Sequence, residues 1–229
     1  MPSLLYVTQV APYGHGPAGV HGVLDQSATG MAELAGMAGL DPIHVSDVRT
    51  LSAGQLSDAR VLALFTIGET PWSAEQQSAI MERVRAGTLA VLAVHAATDS
   101  CYGWEAYGRL VGARFDGHPW TQRFTLDVVE PNHPATRHLG ATWEWTDEVY
   151  LFRDLRPDAR VLLRVAEDQL DQGVEGAKRP SWGYPLSWCF DEGKGRVFSS
   201  TLGHFPSAWE SPTYLAHLAG GLAWTLGEA

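Results

Sequence analysis

Apolar positions recur along this chain in two rhythms, short unbroken runs and helical spacings, and they divide it in order. Leu4 to Val10 reads as a first buried strand. From Asp25 to Leu40, Ala28, Met31, Ala32, Leu34, Ala35 and Ala38 fall at helical spacing, predicting a small-residue helix packed closely on a sheet. Pro42 to Ser46 gives a short second strand and, after a polar link, Arg60 to Phe65 a third. Ser73 with Gln76 three residues on is a capping-box pattern, predicting a helix that runs to about Ala86-Gly87. Leu89 to Val94 then forms an apolar run too short for a helix and suited to a strand covered on both faces. The first hundred residues therefore read β-α-β-β-α-β, the signature of a parallel, doubly wound sheet.

The second half changes rhythm. Tyr102 to Ala113 predicts a helix with Trp104, Tyr107, Leu110 and Val111 on one face. Thr121 to Glu130 alternates, with Phe124, Leu126 and Val128 inward, and Trp143 to Tyr150 and Val161 to Val165 read as further strands. Gln169 to Lys178 is a polar excursion. Pro185 to Phe190 and Arg196 to Thr201 predict an antiparallel hairpin joined through Asp191 to Gly195, and Ser211-Pro212 starts a last helix to about Leu226. The fold class expected is α/β, a mostly parallel central sheet with an antiparallel C-terminal portion, in a single domain over residues 1–229.

Composition narrows the partners. A formal net charge of -10 argues against nucleic acid or an anionic membrane surface, either of which needs clustered Lys and Arg. No run is apolar enough to span a bilayer, and the first residues lack the basic segment and cleavage site of a signal peptide, so a cytoplasmic location is expected. Cys101 and Cys189 have neither disulfide-framework nor zinc-motif spacing. Nine tryptophans suit a sugar-stacking pocket or a subunit interface, so a homo-oligomer stays open.

Candidate chemistry gathers at strand ends. In open α/β sheets ligands collect beyond the carboxyl ends of the strands, and His95, Thr98 and Asp99 follow the apolar run there. The ends near His15, Thr66 to Glu69 and His95 are expected on one edge. His15 and His21 sit in a glycine-rich loop, APYGHGPAGVHG, that lacks both the G-x-G-x-x-G spacing and a P-loop lysine. Glu148, among aromatic and β-branched neighbours, must be paired, coordinate something or titrate abnormally if buried. Tyr102 and Trp104 stand at a predicted helix start, and His204 and Trp209 follow the last strand.

Taken in order, His95-Ala96-Ala97-Thr98-Asp99, Gly117-His118-Pro119, Asn132-His133-Pro134, Asp147-Glu148-Val149-Tyr150 and Gly195-Arg196-Val197-Phe198 through Leu202-Gly203-His204 resemble the ThuA-like (trehalose-utilisation) family. The resemblance covers nearly the whole chain and implies a flavodoxin-like three-layer sandwich, similar to the class I glutamine amidotransferases. It places His95 about where those enzymes keep a nucleophilic Cys, and His204 about where they keep a catalytic His. An imidazole cannot supply a thiolate, so glutaminase chemistry is rejected. Ala96 departs from the family's commoner serine, removing a candidate hydroxyl. The resemblance implies a small carbohydrate ligand, trehalose or a related disaccharide or keto-sugar. Around it the expected catalytic residues are His95, Asp99, Glu148 and His204, with His15, His21, Glu69, Tyr102, Trp104, His118 and Trp209 contacting substrate. Three readings remain open. His95, Glu148 and His204 hold a divalent metal such as zinc; the same groups act as a metal-free acid–base pair in hydrolysis or proton transfer; or the domain binds sugar without turning it over.

Overall fold

In the computed structural model the described residues are 1–10 and 22–228, so His15 and His21 lie outside them. The parallel half of the sheet is built from β1 (Ser3–Val7), β2 (Asp41–Val45), β3 (Ala59–Leu64) and β4 (Ala90–Val94), crossed by α1 (Leu24–Met37), α2 (Ala53–Asp58) and α3 (Ala74–Ala86). β1 and β4 are buried along their full length, the state that their unbroken apolar runs require. α3 begins on Ser73, whose hydroxyl accepts from the Gln76 N–H while Gln76 Oε1 accepts from the Ser73 N–H, and it ends on Gly87 at φ 77°. The link expected to be merely polar holds a second capping box, Ser52 with Gln55, which starts α2.

A short helix α4 (Glu105–Val111) leads to β5 (Ala113–Phe115), and β6 (Trp120–Val128), β7 (Thr142–Val149), β8 (Phe152–Leu155) and β9 (Arg160–Val165) follow. β10 (Tyr184–Glu192) and β11 (Gly195–Ser200) form the expected hairpin, and α5 (Pro206–Trp209) and α6 (Pro212–Leu226) close the chain. The sheet runs β2-β1-β3-β4-β11-β10-β9-β6-β7, with a separate pair β5-β8. β11 lies parallel to β4, and every pairing beyond it is antiparallel. The antiparallel strands thus extend the same sheet instead of making a second one. In register, Val94 pairs with Ser200, so the residues next beyond these two ends, His95 and Thr201, become neighbours.

One expected element is shorter than its periodicity suggests. The helix expected from Tyr102 begins only at Glu105, because His95–Asp99 coil into a 3-10 turn and Cys101 takes a left-handed φ of 52°. No helix of the described residues is long and apolar enough to cross a membrane.

Candidate functional site

His95 is the first residue past β4, and its backbone is left-handed at φ 47°, a conformation that a non-glycine residue adopts at a cost of about 1–2 kcal/mol. Its ring is buried against the edge of Phe65. Nδ1–H donates to the Thr201 carbonyl at 2.9 Å. A carbonyl only accepts, so the neutral ring carries its proton on Nδ1 and turns the Nε2 lone pair the other way. There Nε2 meets the Tyr150 hydroxyl at 3.2 Å, His204 Nδ1 at 3.2 Å and Glu148 Oε2 at 3.7 Å. His204 Nδ1 and Glu148 Oε2 are 3.3 Å apart, and the other carboxylate oxygen of Glu148 lies 3.4 Å from His118 Nδ1.

His204 and Glu148 reach this point through Asp147. Its Oδ2 accepts from the Gly203 N–H at 2.8 Å and the Trp145 indole at 3.0 Å; its Oδ1 accepts from the N–H groups of Glu148 (2.9 Å) and His204 (3.3 Å). Tyr214 donates to the Leu202 carbonyl and Trp209 to that of Gly203, so the 202–204 turn is held from both sides. Gly203 sits at φ 116°, and a Cβ there would run into the Tyr214 hydroxyl, so no other residue fits this turn.

Electrostatically the imidazoles differ. Burial pulls the pKa of His95 down to about 4, against the opposing pull of its bond to Thr201 and of the Glu148 charge, so this ring is neutral at pH 7. His204 goes the other way: its hydrogen bond to Glu148 raises its pKa against partial burial. Burial opposes ionisation of Glu148, yet the bond from His204 and the charges of His95, His204 and His118 outweigh it and hold the carboxyl below its usual range. Tyr150 is pushed well above the usual phenol value by burial and by the carboxylates of Glu148, Asp147 and Asp99.

Of the residues singled out in the sequence, His95, Glu148, His204 and His118 come together. Asp99 stands near them, its charge acting on Tyr150, and accepts from the Tyr102 hydroxyl at 2.7 Å. Glu69 is exposed and accepts from the Gly103 N–H. Trp104 and Trp209 are buried, Trp104 against Trp72 and Tyr107, and Trp209 against Phe65 and Tyr214 below the His204 turn. Cys101 is buried against the Thr70 hydroxyl, and burial pushes its thiol up to about 11, the opposite of a nucleophile. Tyr150 and Asp147 were passed over in the sequence, although Tyr150 follows Glu148 by two, the spacing that returns an extended chain to one face.

His95 Nε2, Glu148 Oε2 and His204 Nδ1 form a nearly equilateral triangle with sides of 3.2, 3.3 and 3.7 Å. A tetrahedral zinc ion with ligand bonds near 2.0–2.1 Å needs donor atoms about 3.3–3.4 Å apart. The donor set, two imidazoles and one carboxylate, is one that zinc takes in catalytic sites. The Thr201 carbonyl supplies the outer hydrogen bond that metal-ligating histidines use to fix their tautomer. These residues fit a divalent ion.

Comparison with known proteins bears on the family and the fold. The sequence profile of the ThuA family, described as trehalose utilisation, matches residues 14–225. A ThuA-like protein from Bacteroides uniformis superposes with a TM-score of 0.76 at 18% identity, covering 97% of this chain and 90% of that one. A second, from Parabacteroides merdae, gives 0.73 at 19% identity, covering 99% and 90%. A cytoplasmic protein from Salmonella typhimurium LT2 gives 0.64 at 12% identity, covering 98% and 99%. No curated protein matches the chain.

Proposed function

This chain belongs to the trehalose-utilisation (ThuA) family, and from that premise we propose that His95, Glu148 and His204 hold a zinc-like divalent ion and act on a disaccharide or keto-sugar derivative as a hydrolase or lyase. The observation that carries this reading is the triangle of donor atoms, whose 3.2, 3.3 and 3.7 Å sides fit a tetrahedral face. When bound, the ion supplies Lewis acidity toward a sugar oxygen or a water molecule. The chain's own groups supply the rest. Thr201 keeps His95 in the tautomer whose Nε2 is a donor of electrons. His118, with 43% of its side chain exposed, touches the Glu148 oxygen turned away from the triangle, and at that position it can orient the carboxylate or accept a proton from substrate. Tyr150 keeps its proton at neutral pH, so it serves as a hydrogen-bond donor to a substrate oxygen and not as a base. Asp99, tied to Tyr102, offers a carboxylate to sugar hydroxyls.

Two measurements test this. Metal-stripped protein titrated with zinc is expected to bind one equivalent, and His95→Ala and Glu148→Gln are expected to abolish that binding while the proteins stay folded. Folded wild-type protein that takes up no divalent ion would overturn the metal half. A panel of oxidised and unoxidised disaccharides, followed by product analysis, tests the reaction. Saturable binding with no product under any metal would leave a sugar-binding domain and remove the enzyme.

A further inference from the structure

A cavity of about 720 Å³ shares no residue with the histidine centre. That volume falls within the range of small-molecule pockets, about 300–1,000 Å³. It opens between the last turns of α3, the exposed side of α4 and the β5-β8 pair, with Trp182 at its rim. Its apolar lining includes Met81, Leu155 and Pro157. Trp182 keeps 36% of its surface exposed, a large flat apolar ring held in water beside a polar groove.

The charges around the groove are balanced. Arg156 pairs with Asp158 and Glu192, and Arg85 with Glu192, so these four largely satisfy one another. Arg109 and Arg114 remain, together with Glu105 and Asp154. An anion or a cation placed here meets as many like charges as opposite ones. A neutral ligand rich in hydroxyl groups meets no such conflict: its oxygens accept from guanidinium groups while its O–H groups donate to carboxylates. Arg114 is held in place at the groove: its Nη2 donates to the carbonyls of Trp104 and Glu105 at 3.1 and 3.2 Å, and its guanidinium lies over the Tyr102 ring.

We propose that this groove is a second binding site, for a neutral saccharide whose apolar face stacks on Trp182 and whose hydroxyls bond Glu105, Asp154, Arg109 and Arg114. An indole offers a π face to the C–H groups of a sugar ring, and carboxylates accept from hydroxyl groups while guanidinium groups donate to them. The inference rests on the groove's own chemistry and stands whether or not the histidine centre binds metal.

The test uses the full chain labelled with 5-fluorotryptophan, with the Trp182 fluorine resonance assigned by its absence from Trp182→Phe. Maltose and cellobiose serve as neutral probes and glucose 1-phosphate as the anionic one. Both neutral sugars, or one of them, are expected to shift the Trp182 resonance saturably in the millimolar range, with the phosphate ester at least about tenfold weaker. Asp154→Ala, an exposed change, is expected to weaken the effect by about tenfold, and His95→Ala to leave it intact. Three results would overturn the proposal: no saturable shift with either neutral sugar, tighter binding of glucose 1-phosphate, or loss of the shift in His95→Ala, which would seat the sugar at the histidine centre.

Discussion

Asp147 holds a carboxylate in the protein interior on the strength of four N–H groups, three from the backbone of Glu148, Gly203 and His204 and one from the Trp145 indole. Burial still dominates and pushes its pKa up to about 6. The arrangement needs acceptors on both oxygens. In Asp147→Asn one oxygen becomes an amide NH2, a donor facing donors, so either the Gly203 and Trp145 pair or the His204 and Glu148 pair loses its acceptor. Leaving buried groups unsatisfied costs about 1–3 kcal/mol. We therefore expect a lower urea midpoint for this variant. Because Asp147 fixes the backbone on which His204 rides, zinc affinity should also fall by about 10–100-fold, as for other supporting residues of metal sites. Stability lost with unchanged zinc affinity would show that Asp147 braces the fold and does not position His204.

At the scale of elements, the turn out of β4 decides where the site lies. Val94 ends in register with Ser200, and His95 turns at φ 47° so that its ring meets His204 and Tyr150 instead of running on with the strand. Removing the ring leaves the backbone strain, which gives a clean comparison. His95→Gly should be more stable than His95→Ala by about 1 kcal/mol in denaturant melts, since only glycine takes this φ without strain. Equal stabilities would mean that residue 95 carries no strain. This turn also marks the limit of what the sequence tells. The run Leu89 to Val94 was readable because a parallel strand covered on both faces of the sheet must be apolar throughout, and Ser73-Gln76 because a capping box is local. The left-handed backbone of His95 and Cys101 was not, since only glycine advertises a positive φ, and the following helix was placed three residues early. Glu148 does meet His95 and His204, as expected, but the path that brings them together was not readable. It depends on the sheet order, which puts β7 at the far edge while its end, with the 202–204 turn, returns to the β4–β11 seam.

On the scale of the whole molecule, two buried histidines far from the site join the antiparallel half to α6, and they make the fold sensitive to acid. His217, on α6, donates from Nδ1 to the Ala135 carbonyl at 2.7 Å and packs on Trp143 and Phe198. His133 accepts at Nδ1 from the Ala135 N–H at 3.1 Å and packs on Trp224 of α6. Protonating His133 would turn that acceptor into a donor. Burial lowers the pKa of His217 to about 3 and that of His133 to about 4, from 6.5 for a free histidine. With the folded values depressed, the unfolded chain binds the protons first. Their stabilisation is complete above about pH 6.5 and is lost as pH falls, by up to about 1.4 kcal/mol per pH unit for each ring. His95 adds to the same slope, with a folded value near 4, while the raised pKa of His204 acts in the opposite sense. His217→Leu isolates one contribution. It strands the Ala135 carbonyl and should be less stable than wild type at about pH 7.5, yet the gap should narrow steadily toward about pH 4.5, because the variant lacks this one buried ring and its share of the acid sensitivity, while His133 and His95 titrate alike in both proteins. Urea melts of both proteins across that range measure the gap directly. Parallel stability curves would sink the assignment of acid sensitivity to His217.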